Sequence, residues 1–302
     1  MRWDSEALPP LNLCYSLAMI VDSPWLVPPG AVFSLTGCPT EPPERMTKSD
    51  AKAQLSAHVD AIGALQERLF AEDRQALLLV FQAMDAAGKD GTIRRLLTGI
   101  NPAGCQVTSF KRPSSMELDH DFLWRHVGAL PERGRIGVHN RSWYEEVLVV
   151  RVNEGILTNS QRLPYRCIGP DVWEGRLRSI REFESHLARN GTTVVKFFLN
   201  VGRKEQAQRL TDRIDEPDKR WKFESGDLDA RDQWASYQSA YGAALSETST
   251  VDAPWYAIPA DHKWTMRVAV AEVVHQTLER MGPTVPSPED IDWVEARRRL
   301  NP

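Results

Sequence analysis

The segment 76–92 constrains this chain more than any other. Ala76-Leu-Leu-Leu-Val-Phe-Gln82 is a continuous apolar run, too short for a typical helix and suited to a strand buried on both faces. It leads directly into Ala83-Met-Asp-Ala-Ala-Gly-Lys-Asp-Gly-Thr92, and a helical stretch spans 91–97. A strand that ends in a small-residue turn and opens a helix can cradle phosphate. Backbone amides wrap the anion, a lysine neutralises it, and the helix dipole assists. Against the pattern GxxxxGK[ST], Gly88 and Lys89 match, while Ala83 replaces the first glycine and Asp90 the hydroxyl residue. The alternative is an ordinary strand–helix turn capped by Asp85 or Asp90. An acid inside an anion-binding loop repels phosphate unless a divalent cation lies between them. Asp85 therefore reads as a magnesium ligand, as a base that orients an attacking phosphate, or as a cap.

A second segment, Arg135-Ile-Gly-Val-His-Asn-Arg-Ser-Trp-Tyr-Glu-Glu146, ends a short strand near His139 and opens a helix with polar residues. In a P-loop fold the second strand delivers an acid to magnesium at this point. Asn140 occupies that position, and Glu145 and Glu146 follow about a turn later. They compensate for the missing carboxylate or simply complement the helix dipole. Arg141 is placed for phosphate or for a surface ion pair.

Around these motifs the chain alternates strands with helices. Leu55, Val59, Ile62, Leu65 and Leu69 form one apolar helical face, and Trp173, Leu177, Ile180, Phe183 and Leu187 form another that stops before Gly191. Further strands are expected at 106–110, 135–139, 192–199 and 255–259. This rhythm predicts an α/β fold, a parallel sheet with helices on both faces, and ligands beyond the carboxyl ends of the strands. Residues 215–230 are charged, hold Pro217 and Gly226, and read as a mobile lid.

The 302 residues suit one large domain or two small ones. Eight of the 20 prolines fall within 1–45, which reads as an extended N-terminal arm. Residues 11–20 lack the basic flank and clean apolar run of a signal peptide, and Met19 is a candidate start. The tail 283–302 looks peripheral, with a short helix after Pro288. Cys14, Cys38, Cys105 and Cys167 lie far apart without a CxxC pair, against a disulfide framework or standard zinc cluster. No run of 18 apolar residues occurs. A cytoplasmic protein without membrane partners is the expectation. A net charge of −4 argues against a nucleic-acid coat. Basic pairs nevertheless occur at Arg94-Arg95, Lys111-Arg112, Arg203-Lys204 and Lys219-Arg220, near the ends of the expected strands.

The stretch Asp85-Ala-Ala-Gly-Lys-Asp-Gly-Thr-Ile93 resembles the modified Walker A loop of polyphosphate kinase family 2. The resemblance continues through Asn101-Pro-Ala-Gly-Cys-Gln-Val-Thr-Ser-Phe-Lys111, His120-Asp-Phe-Leu-Trp-Arg125, Asn140-Arg-Ser-Trp-Tyr-Glu145, Val149-Val-Arg-Val152 and Lys196-Phe-Phe-Leu199. It extends into Arg213-Ile-Asp-Glu-Pro217, Trp221-Lys-Phe223, Ala253-Pro-Trp-Tyr256 and Pro259-Ala-Asp-His-Lys-Trp264, and covers about 24–282. It implies a P-loop kinase-like domain over 46–282, with a helical lid over about 203–232 carrying Arg213 and Lys222. It also implies reversible, magnesium-dependent phosphoryl transfer from inorganic polyphosphate to a nucleotide, with manganese as a substitute metal.

The implied catalytic residues are Asp85, Lys89, Arg141 and Glu145. Phosphate contacts fall to Ala86, Ala87, Gly88, Lys89, Asp90, Gly91, Thr92, Arg94, Lys111 and Arg151, and metal contacts to Asp85, Asn140 and Glu146. Asn140 and Glu145 resemble class III, which accepts AMP and ADP, with GMP and GDP as further acceptors. That class carries Glu-Asp where this chain has Glu145-Glu146, and Trp143 is a feature of the restricted classes. A homo-oligomer, dimer or tetramer, is implied as well. The competing readings are an ATP-dependent nucleoside monophosphate kinase and a catalytically inactive polyphosphate- or nucleotide-binding regulator.

Overall fold

The computed structural model describes residues 20–43, 46–224, 226–288 and 291–301. The expectations about a leader, a start at Met19 and Cys14 fall outside these residues. Six strands form one sheet in the order β1-β6-β5-β2-β4-β3: β1 (Leu26–Val27), β2 (Ala76–Gln82), β3 (Cys105–Ser109), β4 (Ile136–Asn140), β5 (Thr192–Asn200) and β6 (Trp255–Pro259). Every residue of β2 is buried. The strand is central, parallel to β4 on one side and β5 on the other, so its unbroken apolar run follows from covered faces rather than from alternation. β3 is an edge strand and alternates in exposure over most of its length.

The longer helices are α1 (Lys48–Glu72), α2 (Lys89–Leu96), α3 (Val172–Arg189), α4 (Arg203–Asp215), α5 (Gly226–Asp232), α6 (Trp234–Thr248), α7 (Lys263–Met281) and α8 (Trp293–Leu300). α7 packs against α1 and α2, while α3 packs on β5 and against α6. Thr47 caps α1 by accepting from Asp50 N, and Leu55, Val59, Ile62 and Leu69 of the expected stripe are buried. α8 begins at Asp292, which accepts from Val294 N and Glu295 N, and no residue of it is buried. Among the described residues, no helix is long and apolar enough to cross a membrane.

One strand escaped the sequence pattern. Leu26 and Val27 pair antiparallel with Tyr256 and Trp255, between Pro24 and Pro28-Pro29. Prolines restrict such a strand to an edge, and two residues are too few for periodicity to mark. The arm is strapped down by polar contacts to residues far along the chain. The Tyr256 hydroxyl accepts from Val21 N (3.0 Å) and donates to Val21 O (3.1 Å). Asn200 Nδ2 donates to Cys38 O and Pro39 O, and Asp261 N donates to Thr40 O.

Because β2, β4, β5 and β6 are parallel, their carboxyl ends meet on one side. The turns after Gln82, Asn140, Asn200 and Pro259 therefore gather there, and the candidate site is built from them.

Candidate active site

The loop between β2 and α2 supplies the first groups. Gly88 is the N-cap of α2 at φ 110°, and no side chain caps that end; neither Asp85 nor Asp90 takes the capping role. Ala86 sits at φ 63°, which an alanine adopts only when its surroundings impose it. Those surroundings come from α4. Arg209 Nη1 donates to Ala86 O (3.2 Å) and Ala87 O (2.7 Å), and Nη2 donates to Ala260 O (2.7 Å) and Asp261 O (3.1 Å). Gln206 Nε2 donates to Asp85 O at 3.1 Å. These bonds hold the carbonyls of residues 85–87 toward α4, and within the loop Ala87 N donates to Met84 O at 3.3 Å.

Lys89 is buried, with Nζ donating to Ala83 O at 3.0 Å. Burial and the nearby Arg141 guanidinium push its pKa down to about 8, against a partial offset from Asp85, Glu145 and Asp90. The Thr92 hydroxyl donates to Gly88 O at 3.0 Å, which closes the first turn of α2.

β4 supplies the second set, since Asn140 lies beside Phe81 in the sheet. Arg141 follows at φ 66°, and its N–H donates to Phe81 O at 3.0 Å. That backbone turn aims the guanidinium between two acids. Nη2 lies 2.7 Å from Asp85 Oδ1 and Nη1 lies 3.0 Å from Glu145 Oε2. These carboxylates, Glu145 the more strongly, raise the Arg141 pKa above its ordinary value. Asn140 Nδ2 donates to Asp90 Oδ1 (2.7 Å) and Ser109 Oγ (3.3 Å), while its Oδ1 is buried and has no partner. Tyr237 and Tyr241 of α6 lie close enough to Glu145, Asp85 and Arg141 to feel their charges, and burial first, then Glu145, drives the Tyr241 pKa up.

Asp85, Lys89, Asp90, Asn140, Arg141 and Glu145 therefore converge, with Ala86, Ala87, Gly88, Gly91 and Thr92 forming the loop and first turn around them. A sequence profile described as Polyphosphate kinase 2 (PPK2) matches residues 45–286. The chain belongs to the polyphosphate kinase 2 family.

Relatives in the family are substantially similar. A Rhodopseudomonas palustris protein named ADP-polyphosphate phosphotransferase is 53% identical over 232 residues, 77% of this chain and 80% of that one. A Meiothermus ruber protein named AMP/ADP-polyphosphate phosphotransferase is 48% identical over 225 residues, covering 74% and 80%. The crystal structure of polyphosphate kinase 2 from Arthrobacter aurescens TC1 superposes with a TM-score of 0.83 at 39% identity, covering 91% of this chain and 94% of that one.

Other residues expected in this polyphosphate kinase 2 site lie elsewhere. Glu146 was expected beside Asp85 and Asn140. Its carboxylate is instead buried and committed, 2.9 Å from Arg176 Nη1 and 2.5 Å from Gln161 Nε2. In the tight turn Trp143–Glu146, adjacent glutamates project to different sides. Arg151 stacks over Trp173, 6.0 Å from its ring centre. Lys111 is exposed, and its carbonyl accepts from Arg125 Nη1. Arg94 lies exposed on α2. Arg213 Nη1 reaches Asp227 Oδ2 (3.2 Å) and Lys222 O (3.3 Å), joining α4 to the turn after it and to α5. Lys222 Nζ stands 5.0 Å from the Trp221 ring centre.

Glu146 and Arg176 line a cavity of about 510 Å³, together with Phe122, Arg125, Gln161 and Asp171. Its Glu146 wall belongs to the turn that carries Glu145.

Two residues that matter here went unnoticed in the sequence. Gln206 and Arg209 form the buried stripe of α4 with Leu210; polar residues at three-residue spacing look like a solvated face. A buried arginine that bonds four carbonyls has no one-dimensional signature.

Among the described residues, no group of three or more His, Cys, Asp or Glu side chains is placed to hold an ion. Magnesium takes one or two carboxylates together with waters and substrate phosphates. Asp85 and the unpartnered Oδ1 of Asn140 suit that sparse oxygen set.

Proposed function

We propose that this chain transfers the terminal phosphoryl group of inorganic polyphosphate to nucleoside mono- and diphosphates, AMP to ADP and ADP to ATP. Arg141, clamped between Asp85 and Glu145 at the mouth of the phosphate loop, carries this reading. Kinship with proteins named for polyphosphate and for AMP or ADP supports the donor and the acceptors.

The acceptor attacks through an ionised phosphate oxygen, so little base catalysis is required. A bond forms from that oxygen to the terminal phosphorus, the P–O–P bond behind it breaks, and a polyphosphate one unit shorter leaves. Two polyanions must meet in line, and alignment and electrostatics supply the rate. Lys89 and the loop amides hold the donor phosphates. Arg141 lies between the reacting groups, oriented by its two carboxylates. Magnesium is the proposed cofactor, held by Asp85 and Asn140, and when bound it offsets phosphate charge. The nucleoside end of the acceptor occupies the cavity lined by Phe122, Arg125 and Arg176.

Incubation with magnesium and long-chain polyphosphate, with AMP and ADP as separate acceptors followed by chromatography, tests the acceptor assignment. AMP is expected to become ADP and then ATP. Conversion of ADP alone removes the monophosphate half of the proposal.

A further inference from the structure

Glu145 completes the clamp on Arg141, yet its own position is set from outside the site. It belongs to the four-residue turn Trp143–Glu146, a single stretch of 3-10 geometry. Such a turn has too few internal hydrogen bonds to fix its own orientation, so the direction of Glu145 depends on what holds its neighbours. All three neighbours are held by α3. Trp143 Nε1 (3.2 Å) and the Tyr144 hydroxyl (2.8 Å) both donate to Glu184 Oε1. Arg176, about two turns earlier on the buried side of the same helix, takes Glu146. Its Nη1 donates to Glu146 Oε2 (2.9 Å) and to Glu146 O (3.1 Å).

The bond to Glu146 O decides how the turn faces, because it fixes the backbone one residue beyond Glu145. The rest of the network occupies Arg176 fully. Nη2 donates to Gln161 Oε1 (2.5 Å) and Gln161 Nε2 donates to Glu146 Oε2 (2.5 Å), which closes a ring of three side chains. The rings of Phe122 and Trp173 stand by the guanidinium, their centres 5.3 and 5.8 Å from Cζ. Arg176 is buried, so it is committed to the turn rather than offered to a phosphate. Glu145, the remaining residue, reaches the sheet instead. Its Oε2 lies 3.0 Å from Arg141 Nη1, and the Gln82 amide lies 3.0 Å from its Oε1. Both partners sit at strand ends, so a shift of the turn against the sheet loses both contacts together.

We infer that Arg176 is a positioning residue for the transfer reaction: acting through Glu146, it holds the turn in the place from which Glu145 orients Arg141. This rests on the reading above that the Arg141 clamp serves phosphoryl transfer. Arg141 has to point between donor and acceptor, and a misplacement of about 1 Å in such a group costs about 10²-fold in rate. Without its anchor on α3 the turn shifts. The phosphate loop does not, since Gln206 and Arg209 secure it separately. The rate therefore falls while donor binding is kept.

The test is a double-mutant cycle of Arg176→Gln and Glu145→Gln, reading kcat and the KM for long-chain polyphosphate with ADP as acceptor. In the otherwise wild-type protein, Arg176→Gln is expected to lower kcat about 30-fold and to leave the KM for polyphosphate unchanged. In the Glu145→Gln background the same change is expected to cost less than about threefold, because residues acting as a unit do not multiply their effects. Arg176→Lys keeps the charge but not the fork that reaches Glu146 O and both side chains. Its loss is expected to be smaller, and it carries the same comparison if Arg176→Gln folds poorly. An equal loss in both backgrounds overturns the positioning role, since a direct contact with the acceptor or a general loss of stability multiplies with Glu145→Gln. So does a raised KM for polyphosphate, or no loss at all. A Glu145→Gln protein with wild-type kcat overturns the clamp reading instead, and a wild-type protein that forms no ATP from ADP and polyphosphate overturns the transfer reading before either variant is made.

Discussion

Asp85→Asn is expected to lower kcat by about 10²- to 10³-fold with the fold intact, the scale seen when one preorganised electrostatic group is removed from a reaction centre. The side chain is partly exposed, at 27%, and its contacts are few: one oxygen holds Arg141 Nη2 at 2.7 Å. The loop backbone is secured independently by Gln206 and Arg209 through carbonyls of residues 85–87, so its conformation does not depend on the Asp85 carboxylate. The amide keeps the shape and one acceptor oxygen but loses the charge. Arg141 then rests on Glu145 alone, and the proposed magnesium loses its carboxylate. Initial rates with ADP and polyphosphate, set beside a thermal melt, read both halves. A fully active Asp85→Asn protein removes Asp85 from the mechanism; an unfolded one contradicts the structural account of the loop.

Glu184→Gln is expected to produce the largest loss of stability, about 3–5 kcal/mol, because it leaves a buried cation without its counter-charge. Lys196 and Glu184 are both fully buried, with Nζ 2.6 Å from Oε2. Nζ also donates to Thr248 O at 2.6 Å and to the Tyr144 hydroxyl at 2.9 Å, and Trp143 Nε1 donates to Glu184 Oε1 at 3.2 Å. Burial pushes the Lys196 pKa down to about 8 even with the carboxylate raising it. Without that carboxylate the folded pKa drops further below the unfolded value. The unfolded state then binds more protons over a window that begins below pH 8, and stability in that window rises with pH. The deficit against wild type should therefore narrow as pH climbs toward 8. Urea midpoints at pH 6.5 and pH 8 measure this. A variant as stable as wild type at pH 6.5 shows that Lys196 is not a buried cation that depends on the Glu184 carboxylate. Trp143 and Tyr144 belong to the turn that bears Glu145, so the same substitution loosens the clamp on Arg141.

The central architecture was legible because burial leaves a simple mark. β2 lies between two parallel neighbours and under helices, so its seven residues are uniformly apolar, and the turn after it must be small to let backbone approach an anion. Asp85, Lys89 and Arg141 could be placed near one another because Asp85 and Arg141 lie in the turns after parallel strands and Lys89 opens the helix that follows the first of them. The site also depends on contacts between segments far apart in sequence, and those leave no periodic trace. Arg209 lies 122 residues from the Ala87 carbonyl it holds. Glu145 and Glu146 are indistinguishable in one dimension, yet one clamps Arg141 and the other pairs with Arg176 in the adjoining cavity. The edge strand of the arm went unseen for a related reason: its two residues are ordered by pairing with Tyr256 and Trp255 and by the Ser249 hydroxyl, which donates to Val27 O, rather than by their own pattern.

The central claim is that the phosphoryl donor is polyphosphate, and the most direct measurement is ATP formation from ADP and long-chain polyphosphate in a mixture freed of ATP beforehand. The account predicts ATP appearing without a lag, one molecule for each phosphate unit lost from the polymer. If no ATP forms from ADP and polyphosphate, and AMP is phosphorylated only after ATP is added, the donor is ATP and the protein is a nucleoside monophosphate kinase built on this fold.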